Sequence, residues 1–541
     1  MLLFAIFMIV GEAYVDAKTI TIVWKNIACI ILSIIKLFGY ASLFKLAYQF
    51  LDNKLKERKN SDIKPKNKFF KWYMDKFEKY PFRTSLISIL IIMGIYMYAF
   101  YPIVLSPDPS FQIKMFFNEH TKYIDGVIQR DPSIFMTNHH PVLQTWLIGY
   151  SIKIGRAILN DNFGLFIYTL GQSILYASCL AYSVKFAKKQ GVKSKWRLIL
   201  LLTYMFVPMF LIYTVSGVKD TLYTAFMLMW VLSIFDIVKN YHDKKIPIGY
   251  LIHMFAMATL MCLFRHNGLY IAVVVIPFVV FFSRKNWLRL LITYTMFIGA
   301  VLSFNKVLVP ALGISDGSDR EKYSIPFQQT ARYVKYYADE LTDEDIKAID
   351  KVLSYDTLAE RYKPQLSDPV KNQYNKYTTS EDMKVYLKVW FKGLKKHPLC
   401  YIEATLHNTF GYIYPNTHKW YTYTEYDDRV TQNDLVDYSF KKDRQWLRNI
   451  LKGYANIFPY IPIYGTICST GINIWIILIM VSYVLKKNKK YLIVLLPLFM
   501  SWVVCMVSPA NTYFRYVMPI IFLVPVLTIL FMSNIRGEKN E

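Results

Sequence analysis

The sequence predicts an all-α polytopic membrane protein with about eleven or twelve transmembrane helices and a mostly helical extracytoplasmic domain. Three observations predict it. The 541 residues are 54% hydrophobic and 17% aromatic, with a mean hydropathy of +0.24, too apolar for a soluble domain. Mostly apolar runs of roughly 17 to 23 residues, the length that spans a bilayer core, recur along the chain. The net charge of +26 gathers in alternate connections between these runs.

In chain order, a short apolar run at 1–11 is followed by Glu12 and Asp16, with no basic segment before it. That pattern reads as a short first span rather than a cleaved signal. A span at 26–48 completes an N-terminal region, 1–51, and a basic loop follows at 52–83. The membrane core, 84–311, holds spans at 84–105, 163–184, 198–214, 221–238, 247–264, 265–282 and 290–311, with a first outer loop at 106–162. An extracytoplasmic domain occupies 312–463. The last region, 464–541, carries spans at 464–485, 491–508 and 516–533 and a short tail.

Lys and Arg crowd 52–83, 185–197, 239–245, 284–289, 486–490 and the tail after Arg536. Basic connections of this kind stay on the cytoplasmic side. The segment 312–463 carries over half of the acids and belongs outside. Topology thus accounts for the excess charge, and nucleic acid is not needed as a partner. The six cysteines fall mostly within apolar runs, only Cys400 lying in the 312–463 domain, so no disulfide framework and no CxxC metal pattern is expected. The localisation that follows is a multi-pass protein of a bacterial cell membrane.

Within 312–463, Thr342-Asp343-Glu344-Asp345 reads as a capping box ahead of Ile346, Ile349 and Val352. A second helix starts at Ser380-Glu381-Asp382, shows Tyr386, Val389, Trp390 and Leu394 on one face, and ends near His397-Pro398. Tyr412, Tyr414, Asn416, Trp420, Tyr421, Tyr423 and Tyr426 form a dense aromatic stretch, read first as an interfacial belt and second as sugar-stacking rings. In the first loop, Val142, Leu143, Trp146, Leu147, Tyr150, Ile154 and Ile158 recur at helical spacing, which predicts a helix lying in the membrane interface.

The candidate site residues cluster at the predicted outer ends of spans. Asp108 stands between Pro107 and Pro109 directly after the 84–105 run, where a general base would serve a lipid-borne donor at headgroup level. It is equally what a proline turn contains. Gln112, in the same stretch, is grouped with the substrate-binding candidates. His139 and His140 precede Pro141 and suit contact with a phosphate or substrate. Without HExxH or another complete ligand set no metal site is predicted, and a divalent metal has no support. Lys219 and Asp220 sit in a brief turn between spans, either as a mutual ion pair or as substrate ligands. Arg265 and His266 interrupt the apolar stretch 251–282, and polar groups at such depth face a cavity or a partner. Arg515 adds a third cation. With Lys219 and Arg265 it would surround an anionic headgroup, if it does not simply snorkel to the interface.

Taken together, these residues resemble the GT-C superfamily of integral membrane glycosyltransferases, which includes protein mannosyltransferases and lipid A aminoarabinose transferases. Those enzymes place an acid just after a span, then a His-Pro or Pro-Pro segment leading into an interfacial helix. The counterparts here are Asp108 and His140-Pro141-Val142-Leu143. Lys219-Asp220-Thr221-Leu222 and Arg515-Tyr516 match as well, and the whole chain looks like an uncharacterised family of bacterial polytopic membrane proteins. The resemblance implies a GT-C-like fold in which Asp108 is the base and the cations hold a polyprenyl-phosphate sugar. The partners would be that lipid-linked donor, an envelope glycan or lipid acceptor, and membrane lipids. No cofactor is implied firmly. The superfamily's second acid has no adjoining counterpart, since Glu119 and Asp125 both lie away from Asp108, and no WWD motif is present. The alternatives are a polysaccharide or lipid-linked sugar transporter or flippase, and a lipid-linked glycan polymerase or ligase.

Overall fold

The structure, a computed structural model, describes residues 1–56, 67–128, 131–317, 319–415, 422–507 and 510–535. Among these the protein is helical, with five isolated β-bridges and no strand. At its centre stands the helix Asp220–Asn240, which is buried from Asp220 to Val238. Its sequence is apolar all round, as expected of a helix with neighbours on every side. Those neighbours include Asp161–Lys189, Ile248–Phe264, Leu492–Met506 and Phe514–Asn534. Two carboxylates mark its ends. Asp236 is held by Lys189 and Gln190, each at 2.7 Å, and by Asn240 at 2.6 Å. Asp220, at the other end, belongs to the site below.

Among the described residues eight helices are long and apolar enough to cross a membrane, or nine if a bent pair counts as one span. This fits a multi-pass membrane protein, yet the number is below the eleven or twelve expected. The difference has local causes that a hydropathy count does not see. The run 198–214 is two helices, Ser194–Phe206 and Pro208–Val215, bent by 51° where Pro208 cannot donate to the preceding turn. The runs 247–264 and 265–282 fold as Ile248–Phe264 and Asn267–Phe282, of 17 and 16 residues, separated where Arg265 leaves the helical conformation. The first run is a 15-residue helix, Leu2–Asp16. The run at 464–485 stays among the eight, although it becomes helical only at Thr470, after a 3-10 turn at Tyr464–Cys468.

The basic 52–83 segment is not simply a loop. Its described part contains the amphipathic helix Lys68–Lys79, which buries Met74 and Phe77, while the basic positions in 57–66 and in the tail from Arg536 lie outside the described residues. In the first loop the expected helix forms as Val142–Ile158 and packs along Asp161–Lys189. Gly155 and Gly164 let the two backbones meet: a Cβ on Gly155 would lie 2.2 Å from the Gly164 Cα. The inward face carries Gln144, Thr145, Ile148 and Ile152, and Leu147, Tyr150, Ile154 and Ile158 form an exposed apolar stripe. A stripe of that kind suits a lipid surface.

Between the spans, the helices Ser324–Tyr337, Asp343–Asp350, Tyr355–Arg361 and Ser380–Lys396 share a core that includes Phe327, Ile349, Leu358 and Tyr386. The box at Thr342 forms as expected, its hydroxyl accepting from the Asp345 N–H at 3.2 Å. The second helix starts at Ser380 as expected, and Thr379 before it forms a further capping box with Asp382. The aromatic stretch divides where it is described, with Tyr426 exposed and Tyr412 and Tyr423 drawn into the protein. Tyr412 is fully buried and donates to the Ala510 carbonyl at 2.6 Å, and Tyr423 hydrogen-bonds Tyr513 beside Arg515. Asn416, Trp420 and Tyr421 lie outside the described residues. All six cysteines are unpaired thiols.

Candidate active site

Asp108 lies in the first turn of the helix Pro107–Phe116, not in a free turn. Proline fits a first turn because its missing N–H would have no partner there, so Pro107 and Pro109 fix the start of the helix. The positive end of the helix dipole faces the carboxylate. The strand-like segment before it pairs with the turn that carries Lys219 and Asp220: the Val104 N–H donates to the Val215 carbonyl at 2.8 Å, and the Gly217 N–H returns to Val104 at 2.9 Å. Buried glutamines hold that turn from below. Gln144 donates to the Gly217 carbonyl and Gln172 to that of Ser216, each at 2.8 Å.

Four charged groups join into one ladder. Arg515 Nη2 donates to Asp108 Oδ2 at 2.8 Å while its Nε donates to Asp220 Oδ2 at 2.7 Å. Arg265 Nη1 lies 2.7 Å from the other Asp220 oxygen, Oδ1. Asp220 is thus shared between two arginines and is fully buried, which replaces the expected Lys219–Asp220 pair. Lys219 instead donates to Nδ1 of His140 at 3.0 Å. The aromatic rings of Tyr223 and Tyr516 flank Arg265, and those of Tyr423 and Tyr513 flank Arg515. Arg515 is held in place by the preceding segment, where the Asn511 N–H donates to the Gln365 carbonyl and the Tyr513 N–H to the Tyr412 hydroxyl.

The ladder forms one wall of a cavity of about 720 Å³ between the spans and the intervening domain. Asp108, His139, His140, Lys219, Arg265, His266 and Arg515 all line it. Asp220 does not, because it stands behind the arginines. Gln112 does not either: its amide donates to the Thr145 hydroxyl at 2.9 Å and ties two loop helices together. Glu119 and Asp125 are also absent from the lining, and Asp125 pairs with His120 at 2.7 Å and Lys376 at 3.3 Å. The acid joined to Asp108 is Asp220, through their shared Arg515.

Residues not singled out from the sequence complete the walls. The intervening domain supplies Arg320, Glu321, Asp368 and Lys371, and the first loop supplies Tyr123, whose ring stacks on His139 at 4.4 Å. No motif marks these positions, since they meet only in space. Eight Lys or Arg residues against five Asp or Glu line the cavity, which favours an anionic occupant. Another part of the wall is apolar: Leu269 and Tyr270, Val301 and Leu302, and Val504 and Val507 come from three different membrane-type helices or their ends.

Electrostatics follow from this packing. Burial works against ionisation of Asp108, but the charges of Arg515 and Lys219 outweigh it and hold the carboxyl well below its usual range. Burial and the Lys219 charge push His140 well below the usual imidazole range and lower His139 to about 3, so both are neutral near pH 7. Among the described residues no group of three or more His, Cys, Asp or Glu side chains is placed to hold a metal ion.

Compared with known proteins, the chain matches the model of a "Family of unknown function (DUF6020)" over residues 1–541. No curated protein and no solved structure matches. Because the match covers the whole length, the chain belongs to the DUF6020 family.

Proposed function

We propose that the protein is a membrane glycosyltransferase that moves a sugar from a polyprenyl-phosphate donor to an envelope glycan or lipid. One observation carries this reading: the same cavity joins a carboxylate and cationic ladder to an apolar wall of membrane-type helices. Tyr270 is 66% exposed and Val507 52%, so this wall continues into surface suited to lipid. A ligand with a phosphate, a sugar and a long apolar tail satisfies all three parts. The GT-C resemblance points the same way. The central helix adds a sense of direction, because its basic end near Lys239 lies about 30 Å from Asp220 by helical rise. That separation supports an outward-facing cavity, since basic ends stay on the cytoplasmic side.

In this mechanism the donor phosphate binds the guanidinium of Arg515 and the Lys219 ammonium. Asp108 and that phosphate compete for Arg515. As the phosphate takes over, Asp108 is relieved of the charge that holds down its basicity. Its carboxylate then accepts the proton of the acceptor hydroxyl, and the acceptor oxygen forms the new bond to the anomeric carbon. The bond from that carbon to the phosphate oxygen breaks, and polyprenyl phosphate leaves with the electron pair. Attack opposite the leaving group inverts the anomeric centre.

Mass analysis of envelope glycans tests the assignment. A deletion strain should lack one sugar substituent, wild-type protein should restore it, and Asp108→Asn at equal expression should not. Restoration by Asp108→Asn would remove Asp108 from the role of base.

A further inference from the structure

Two neighbouring side chains in the cavity wall have polar atoms that the protein leaves unmatched, and their chemistry can be assigned atom by atom. Asn138 donates through Nδ2 to Asn305 Oδ1 at 3.0 Å, which fixes the orientation of its amide. Its Oδ1 is then an acceptor, and it is buried with no partner. His140 receives the Lys219 ammonium on Nδ1, so its neutral ring carries the proton on Nε2. That Nε2–H is a donor, and it too is buried with no partner. Asn138 is 9% exposed and His140 2%, and both line the cavity together with Asp108. Burying such groups unmatched is unfavourable, and a ligand that matches them relieves that cost.

We infer that Asn138 and His140 form a hydroxyl-binding subsite for the donor sugar. A hydroxyl both donates and accepts, so sugar hydroxyls supply the acceptor that His140 Nε2–H needs and the donor that Asn138 Oδ1 needs. A phosphate has no proton to give Asn138 and matches only half of the pair. The subsite is anchored from both sides: the His266 ring nitrogen Nε2 lies 3.0 Å from the Asn138 carbonyl, and the Asn138 N–H donates to the Ser315 carbonyl at 2.7 Å. This inference rests on the lipid-linked donor reading and adds the part of the donor that the ladder does not contact.

The test is equilibrium binding to the full-length protein in nanodiscs, with polyprenyl phosphate and a panel of its hexosyl and N-acetylhexosaminyl esters as probes. At least one ester is expected to bind about tenfold more tightly than polyprenyl phosphate itself, the gain of two neutral hydrogen bonds. Asn138→Ala should abolish that gain and leave polyprenyl phosphate binding unchanged, because Lys219 and Arg515 are untouched. His140→Phe should also lose the gain. If polyprenyl phosphate binds and no ester binds more tightly, the subsite is wrong while the phosphate reading stands. If the gain persists in Asn138→Ala and His140→Phe, the unmatched atoms serve a structural water and the subsite is overturned. If neither probe binds, the donor reading fails and the subsite fails with it.

Discussion

Asp220 shows how two arginines can stand at the edge of an apolar bundle. A buried guanidinium is costly unless it is paired, and one fully buried carboxylate pairs with two of them, through Oδ2 to Arg515 and through Oδ1 to Arg265. Removing it leaves two uncompensated cations. Asp220→Ala is expected to cost about 3–5 kcal/mol and to lower the thermal unfolding temperature sharply. Asp108→Asn, by contrast, keeps the Arg515 contact as a hydrogen bond and should unfold close to wild type.

The histidines make a second prediction at the same scale. His139, His140 and His407 are all held neutral by burial, His139 at about 3 and His407 at about 4. Each is lowered in the fold relative to about 6.5 in an unfolded chain. Below pH 6.5 the unfolded state binds more protons, so stability falls as pH drops from about 6.5 toward 4. Thermal unfolding across that range should show the loss before most carboxylates titrate, and His407→Phe should make it shallower.

At the scale of elements, two glycines carry the geometry. The hairpin of Val142–Ile158 and Asp161–Lys189 closes at Gly155 and Gly164, and a Cβ on Gly164 would lie 2.5 Å from the Ser151 carbonyl oxygen. Gly155→Leu should separate the helices, destabilise the fold by about 1–3 kcal/mol or more, and show in thermal unfolding. Gly217 is a finer lever. A Cβ there would sit 3.2 Å from Ile103 and 3.4 Å from Pro109, the residue after Asp108. Gly217→Val should shift Lys219 against Asp108 and reduce turnover more than stability, measured as transfer rate beside unfolding temperature.

The sequence made the large features of the molecule legible because they depend on local chemistry. Apolar length gave the membrane class, Thr342 its cap, and the Val142–Ile158 periodicity its helix. Seven of the nine candidate residues that it singled out, Asp108 among them, reach a common cavity. What it missed depends on contacts far apart in the chain. Asp108 and Arg515 are 407 residues apart, so nothing local could reveal that Arg515 already holds a carboxylate. Gln112 looked like a ligand only by proximity in sequence, and Arg320 and Glu321 reach the cavity only once the intervening domain is placed over the spans.

The proposed transfer of a sugar from a lipid phosphate in this cavity, with Asp108 as base, can be followed directly. Purified protein in nanodiscs can be given isotope-labelled polyprenyl-phosphate sugars together with envelope extract from the deletion strain, and the label followed by mass spectrometry. The account predicts label in an envelope product with inverted anomeric configuration, and a rate lower by roughly 10²- to 10⁴-fold for Asp108→Asn. An Asp108→Asn rate equal to wild type, or label that crosses a liposome bilayer while still attached to its lipid, would contradict it.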